Sequence, residues 1–443
     1  MLTLRHNFFS LESSASGLKN AGHRIRKHKI DLHMKLYSLL IPMALLMEGC
    51  AQKTGTPENI VADNFAFADR QLRYAFTEID SAMQRLDERQ KENMVFAPRN
   101  IQPDGSLRLV ASRDWCSGFF PGELWYMYEY TGDDFWKQKA IEFTAPVERE
   151  KTNAGTHDMG FKVYCSFGNG YRLTNDSTYR DIIIESARTL ATRFKDKVGA
   201  IRSWDHNRDK WQCPVIIDNM MNLELLFEAA KESGDSTLRD IAVKHAKTTM
   251  KNHFRPDYSS YHVVDYDTIT GQVLHKHTHQ GYAHESAWSR GQAWGLYGYT
   301  MCYRETGDKE FLNQAKHISD YIFDSPALPD DLIPYWDYQA PGIPNEPRDV
   351  SAAAVTACAL YELSMYDKEN AETHKRRADK ILESITAHYR AKENADRGFL
   401  TLHSVGSGNS NSEVDVPIIY ADYYFLEALL KKQKLEKDGT AIL

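Results

Sequence analysis

Several absences narrow the class of this chain before any motif is weighed. Among its six cysteines there is no CxxC pair. Cys116, Cys165, Cys213, Cys302 and Cys358 are an odd, widely scattered set, which excludes a disulfide framework and a zinc pattern. They read as small core residues, and neither a metal nor a cofactor is expected. Positive charge is not in surplus: 54 Lys and Arg stand against 61 Asp and Glu, a formal net charge of −7, so no basic footprint for nucleic acid exists. No apolar run reaches the roughly 20 residues of an ordinary membrane span. Strand signals are sparse, with short hairpins expected only near residues 108–112 and 260–273, the latter turning at Gly271. A GxSxG elbow and a phosphate-cradling loop are both missing.

What is present is a chain of 443 residues with 8 Trp and 24 Tyr. That length is ample for a large core and long for one ordinary domain. Its head, residues 1–50, reads as an extension followed by an export signal. Met34 and Lys35 lead an apolar stretch over residues 36–47 that closes on Gly49 and Cys50. This resembles a bacterial lipoprotein signal with Cys50 as the lipidated residue, which places the mature protein in the periplasm or on a membrane facing it. Residues 57–435 are expected to form the folded domain and 436–443 a tail.

The folded part repeats. Thr131-Gly132-Asp133, Thr174-Asn175-Asp176, Ser233-Gly234-Asp235 and Thr306-Gly307-Asp308 each separate two segments of helical apolar spacing. Gly or Asn can end a helix in the left-handed conformation, and the Asp behind it can cap the next. Three residues past the Asp stand Trp136, Tyr179, Leu238 and Phe311. Seven past it stand Ala140, Ile183, Ala242 and Ala315, on the same helical face. Units over 117–150, 158–196, 218–252, 290–324 and 349–390 follow, the last with a decayed turn near Tyr366-Asp367. A first helix over 62–89 and a last over 417–432 bring the count to twelve. Six hairpins can close into a ring of inner and outer helices or remain an open solenoid. Pairing of the last helix with the first favours closure.

In a closed ring alternate helices are roughly parallel, so Trp115, Asp158, Asp218, Arg290 and Asp349 gather at one mouth. Asp218 lies between Pro214-Val215-Ile216-Ile217 and Asn219-Met220-Met221-Asn222. Partial desolvation there raises a carboxyl pKa and suits a proton donor, and a second carboxylate, Asp158, adds to that. The plainer alternative for each is a helix cap. Gly160, in His157-Asp158-Met159-Gly160-Phe161, leaves room for a ligand or for a close helix contact. Arg290 suits a carboxylate ligand or an ion pair with one of the mouth acids. Trp204, Trp288 and Trp294 are sugar platforms or core residues. His262 and Gln280 flank the insertion before the Arg290 helix and can hydrogen-bond hydroxyls or water. His275, His277 and His279 alternate in a polar segment and read as a solvated strand rather than a metal site.

The wording of several segments resembles glycoside hydrolase family 88, the unsaturated glucuronyl hydrolases. The resemblance rests on SGFFPGELWYMYEYTGD from Ser117, HDMGF from His157, IIDNMMNLELL from Ile216, QGYAHESAWSRGQAWGLYG from Gln280 and SEVDVPIIYADYYFLEALL from Ser412. They stand in order over residues 64–432. The family implies an all-α (α/α)6 barrel. It also implies oligosaccharides whose non-reducing end is a 4,5-unsaturated uronic acid left by polysaccharide lyases, glycosaminoglycan-type products included. By position, Asp218 matches the family's acid/base and Asp158 its second essential carboxylate. His262, Gln280, Arg290 and Trp294 match the unsaturated-sugar subsite, and Trp115 and Trp204 its aromatic walls. Some members read a sulfate with serines and a lysine in a C-terminal loop. Residues 406–413 here hold serines but no lysine, which argues against strict sulfate dependence. An unsaturated rhamnogalacturonyl hydrolase and a non-catalytic glycan-binding lipoprotein are the alternatives.

Overall fold

Four tight turns set the architecture. Gly132, Asn175, Gly234 and Gly307 each end a helix with φ of 68°, 56°, 72° and 70°, a left-handed conformation that glycine takes freely and asparagine tolerates. Behind them Asp133, Asp176, Asp235 and Asp308 accept the N–H two residues on, capping the next helix. The preceding hydroxyls of Thr131, Thr174, Ser233 and Thr306 close each turn. They donate to the carbonyl four residues back and accept the N–H of the aspartate.

The structure is a computed structural model that describes residues 59–443. The export signal expected at residues 34–50, with its anchor at Cys50, lies outside the described residues. Six helical stretches form an inner ring: Phe119–Thr131, Gly160–Gly168 continued by Asn169–Thr174, Ile217–Asn222 continued by Leu223–Ser233, Ser289–Thr306, Val350–Tyr366 and Ile419–Asp438. Each touches the next, and the last touches the first. Outside them run Ile60–Gln84, Asp134–Thr144, Ser177–Ala191, Ser236–Asn252, Lys309–Asp324 and Ala371–Ser384. This is an (α/α)6 barrel. Ile60–Gln84 packs on Ile419–Asp438, the pairing of first and last helix that closure requires.

Burial distinguishes the two rings. Every residue from Val350 to Ser364 is buried, as expected of a helix enclosed on all sides. In Lys309–Asp324 only a stripe is buried, including Phe311, Ala315, Ile318 and Ile322, the pattern of a helix with one wet face. Of the second-turn positions, Trp136, Leu238, Phe311, Ala140, Ile183, Ala242 and Ala315 are core residues, while Tyr179 is half-buried.

Some boundaries differ from the sequence reading. The first helix stops at Gln84, because Asp87 forms a capping box that starts a separate short helix, Glu88–Glu92. The last helix continues to Asp438 and ends on Gly439 at φ 71°, so a domain boundary at 435 falls inside it. Nor is the end of the chain a loose tail: Ala441 is fully buried and its N–H meets Met365 Sδ at 3.0 Å.

Inner-to-outer turns are short, whereas every outer-to-inner connection is long and lies where the inner helices begin. Those connections carry antiparallel strand pairs: Val95–Ile101 with Leu107–Ala111, Phe194–Lys195 with Ala200–Ile201, and Ser404–Ser407 with Ser412–Val416. A three-stranded sheet joins Pro214–Ile216, Val263–Tyr266 and Val273–His277, with Gly271 in its turn at φ 75°. The mouth is therefore walled by chain that the helices do not need for packing.

Candidate active site

The sheet brings the first two site residues together. Ile216 pairs with Val263, and the Ile217 N–H donates to the His262 carbonyl at 3.1 Å, so Asp218 and His262 emerge side by side. Asp158 is brought in by a close helix contact. The Phe161 N–H donates to Asn222 Oδ1 at 3.1 Å, and a Cβ on Gly160 would stand 2.7 Å from Asn222 Cα. Of the two uses open to Gly160, the helix contact is the one it serves.

Asp218 does not cap its helix through its side chain. Its carboxyl is buried and Oδ2 finds no hydrogen-bond partner in the protein. Burial, a desolvation that disfavours charge, pushes its pKa up from an ordinary 3.8 to about 7. The Arg290 guanidinium opposes this and the Asp158 carboxylate reinforces it. His262 Nε2 lies 3.6 Å from Asp218 Oδ2, longer than a hydrogen bond. Burial keeps the imidazole neutral. Its Nδ1 accepts the N–H groups of His279 and Gln280 at 3.1 and 3.0 Å, so the remaining proton sits on Nε2 and points toward the carboxyl.

Asp158 likewise caps nothing through its side chain. Its Oδ2 accepts the Thr156 hydroxyl at 2.6 Å and its Oδ1 lies 3.2 Å from His157 Nε2. The side chain remains 21% exposed, enough to meet a ligand. Two acids at one mouth, one buried and one half-open, replace the pair of caps that the sequence allowed.

Arg290 takes the second of its two expected uses, an ion pair with a mouth acid. Its terminal nitrogens are taken by Asp349 Oδ2 (2.7 Å), Ser351 Oγ (3.3 Å), the Val405 carbonyl and the Gly406 carbonyl (2.7 Å). The guanidinium lies between the rings of Trp288 and Tyr420, at 4.5 and 5.0 Å, and is 1% exposed. Only Nε is unpartnered, so a two-pronged grip on a sugar carboxylate is not open to it. It instead latches the Ser404–Ser407 strand onto the mouth and lowers the proton affinity of Asp218. Gln280 joins the same latch, its Nε2 donating to the Gly406 carbonyl at 2.9 Å. Asp349 caps the Val350 helix through Ser351 and Ala352.

The tryptophans divide by depth. Trp294 and Trp288 are 0% and 2% exposed, which makes them floor rather than platform. Trp294 packs on Phe161 and Tyr424. Trp115 is half-buried, 4.9 Å from Tyr420. Trp204 is 9% exposed and stacks on His206 at 5.0 Å. Of these four tryptophans, Trp115 and Trp204 are the more exposed.

Other contributors escaped the sequence reading. Thr156 and His157 hold Asp158, and the backbone N–H groups of His279 and Gln280 fix the His262 tautomer. A hydroxyl two residues before Asp158 was the one visible hint. Nothing in the sequence could show that the Val405 and Gly406 carbonyls would reach Arg290, more than a hundred residues away. His275, His277 and His284 stack face to face at 5.1 and 4.3 Å, and among the described residues no group of three or more His, Cys, Asp or Glu is placed to hold a metal ion.

A buried carboxyl near neutrality, a second acid, a neutral imidazole and two aromatic walls are equipment for delivering a proton to a sugar. Comparison with known proteins points the same way. The family described as Glycosyl Hydrolase Family 88 matches residues 83–310. An unsaturated glucuronyl hydrolase of Formosa agariphila is 53% identical over 328 residues, 74% of this chain and 82% of that protein. An unsaturated chondroitin disaccharide hydrolase of Streptococcus pneumoniae is 33% identical, over 75% and 85% respectively. Among solved structures, an unsaturated glucuronyl hydrolase specific for heparin superposes with a TM-score of 0.79 at 46% identity, over 87% of this chain and 99% of that one.

Proposed function

This chain belongs to glycosyl hydrolase family 88, and from that premise we infer how it removes a 4,5-unsaturated uronic acid from the non-reducing end of an oligosaccharide. The observation that carries the mechanism is the Asp218 carboxyl, buried, unpartnered at Oδ2 and lifted to a pKa of about 7. Such a group is about half protonated at neutral pH, whereas an ordinary Asp at about 3.9 would be almost wholly ionised.

The substrate bond is a vinyl ether, since C5 carries the ring oxygen. Asp218 gives its proton to C4, and positive charge develops at C5, shared with that oxygen. The carboxylate left behind takes a proton from water as the water oxygen bonds to C5, which restores the acid. The hemiketal formed opens to a C5 ketone. The C1 hemiacetal released with it expels the neighbouring sugar, and one water is consumed overall. No acid is required on the glycosidic oxygen, in contrast to paired-carboxylate glycosidases. A positioned acid and base contribute typically about 10²–10⁴-fold.

The other residues serve this exchange. Asp158 orients sugar hydroxyls and holds the proton on Asp218 by its charge. His262 offers its Nε2 proton, and Trp115 and Trp204 bound the ring. Glycosaminoglycan-derived disaccharides are the substrates that the relatives' names support.

The test follows the ultraviolet band of the conjugated uronate, which hydration removes. Wild type should erase it for unsaturated chondroitin, hyaluronan or heparin disaccharides, and Asp218→Asn should slow the loss at least about 10²-fold with an unchanged circular dichroism spectrum. An Asp218→Asn variant at wild-type rate would remove Asp218 from this role. Sugar binding by wild type without bleaching would make the protein a glycan-binding module instead.

A further inference from the structure

Beyond the mouth, the three-stranded sheet carries a second surface. Its near end, Ile216, Val263 and His277, adjoins the site, and its far end, Pro214, Asp265 and His275, lies two residues further out, about 7 Å along the strands. At that far end a groove of about 450 Å³ is lined by Arg202, Arg208, Lys210, Trp211 and His275, among others. Aromatic rings connect it to the acid. Trp211 lies 5.6 Å from Trp204 and 5.9 Å from His279. Trp204 in turn lies 6.4 Å from His262, the neighbour of Asp218.

The charges in the groove are unequally committed. The Asp265 carboxylate is spent on the N–H groups of Gln212 and Cys213, at 3.1 and 2.7 Å. Arg202 is held by Asp205 at 3.2 Å. Arg208 uses only its Nε, on the Asp205 carbonyl, and Lys210 extends over the Trp211 ring, 5.9 Å from its centre. Trp211, 4% exposed, floors the groove, and it is the two rim cations that suit a sugar unit carrying an anion. Asp209, also at the rim, would disfavour a close second anion.

We propose that this groove is a distal subsite for an anionic sugar unit, bearing sulfate or carboxylate, of an oligosaccharide whose unsaturated end rests on Asp218. The inference builds on the functional reading above and extends it: the enzyme takes chains longer than a disaccharide and grips their charge away from the reacting bond. Rim cations act mainly on binding and are screened by salt, so the groove affects KM rather than kcat.

The test compares wild type with Arg208→Ala/Lys210→Ala on an unsaturated disaccharide, an unsulfated tetrasaccharide and a sulfated tetrasaccharide, at low salt. Wild type should turn over both tetrasaccharides. In the variant, KM for the tetrasaccharides should rise about three- to tenfold, with kcat and all disaccharide kinetics unchanged. A rise for the sulfated chain alone identifies sulfate as the anion held; a rise for both identifies carboxylate. Unchanged tetrasaccharide KM, an equal loss on the disaccharide, or refusal of tetrasaccharides by wild type overturns the subsite while leaving Asp218 in place. Failure of wild type to bleach any of the three overturns the reading beneath it as well.

Discussion

The three largest influences on the Asp218 proton are enclosure, which disfavours its charge, the Arg290 guanidinium, which favours it, and the Asp158 carboxylate, which adds to enclosure. Enclosure wins, and the result is measurable as stability. The folded carboxyl holds its proton more tightly than the unfolded one, so its contribution is most favourable below a pH of about 4 and is lost as pH climbs to about 7. The lift from 3.8 to about 7 is worth about 4 kcal/mol at most. Asp218→Asn, which cannot ionise, should therefore melt higher than wild type at about pH 8, by about 2–4 kcal/mol of stability, and nearly level with it at about pH 4. A lower melting temperature at about pH 8 would mean that Asp218 is not held against its charge. Asp422, also buried and pushed up to about 7, works in the same direction, so some pH dependence should survive in the variant. The sequence disclosed the apolar neighbours of Asp218 and the second acid. It could not disclose that the Arg290 fork is filled, because three of its four partners, the Ser351 hydroxyl and the carbonyls of Val405 and Gly406, carry no sequence signature of that role.

Helices and turns were legible where local chemistry decides them. The Thr/Ser-Gly/Asn-Asp turns bring their own caps, and the outer helices show their stripe. Less visible were the strand pairs over 194–201 and 404–416, short segments with no sustained alternation that are held by other parts of the mouth. Glycines distinguish local from long-range demands. At Gly307 an added Cβ would meet nothing within 4 Å, so Gly307→Ala bears only the left-handed backbone cost, about 1–2 kcal/mol. At Gly298 it would stand 2.5 Å from Met220 Cβ and 3.3 Å from the Met220 backbone. Met220 lies in the turn that carries Asp218, so Gly298→Ala must push two inner helices apart. Thermal melts with the ultraviolet assay should find Gly307→Ala fully active and Gly298→Ala destabilised by about 2–3 kcal/mol with activity reduced at least about tenfold. Equal behaviour of the two would show that this helix contact does not position the acid.

Over the whole molecule, ring closure converts separate helix starts into one site. The six hairpins could be counted from the sequence, and the pairing of the last helix with the first favoured the closed ring over an open solenoid. What holds the ring in register was hidden. At the end away from the mouth, Arg304 pairs with Glu224, Glu305 and Glu362, and Lys431 pairs with Glu362 and Glu427. The hydroxyls of Tyr297 and Tyr126 complete the network on Glu427. Partners come from five of the six inner helices, and a satisfied buried network of this kind specifies geometry more than it adds stability. These charges also line a cavity of about 130 Å³, but they are spent on one another. At the mouth the ring leaves Asp218 Oδ2 without a partner, and a proton on Asp218 at neutral pH is the claim on which the enzymology depends. The pH dependence of wild-type kcat/KM on an unsaturated disaccharide tests it most directly. A limb that falls about tenfold per pH unit above a midpoint near 7 is expected. An efficiency that stays level or rises between about pH 6 and about pH 9 would show that the ionised carboxylate suffices, and would contradict it.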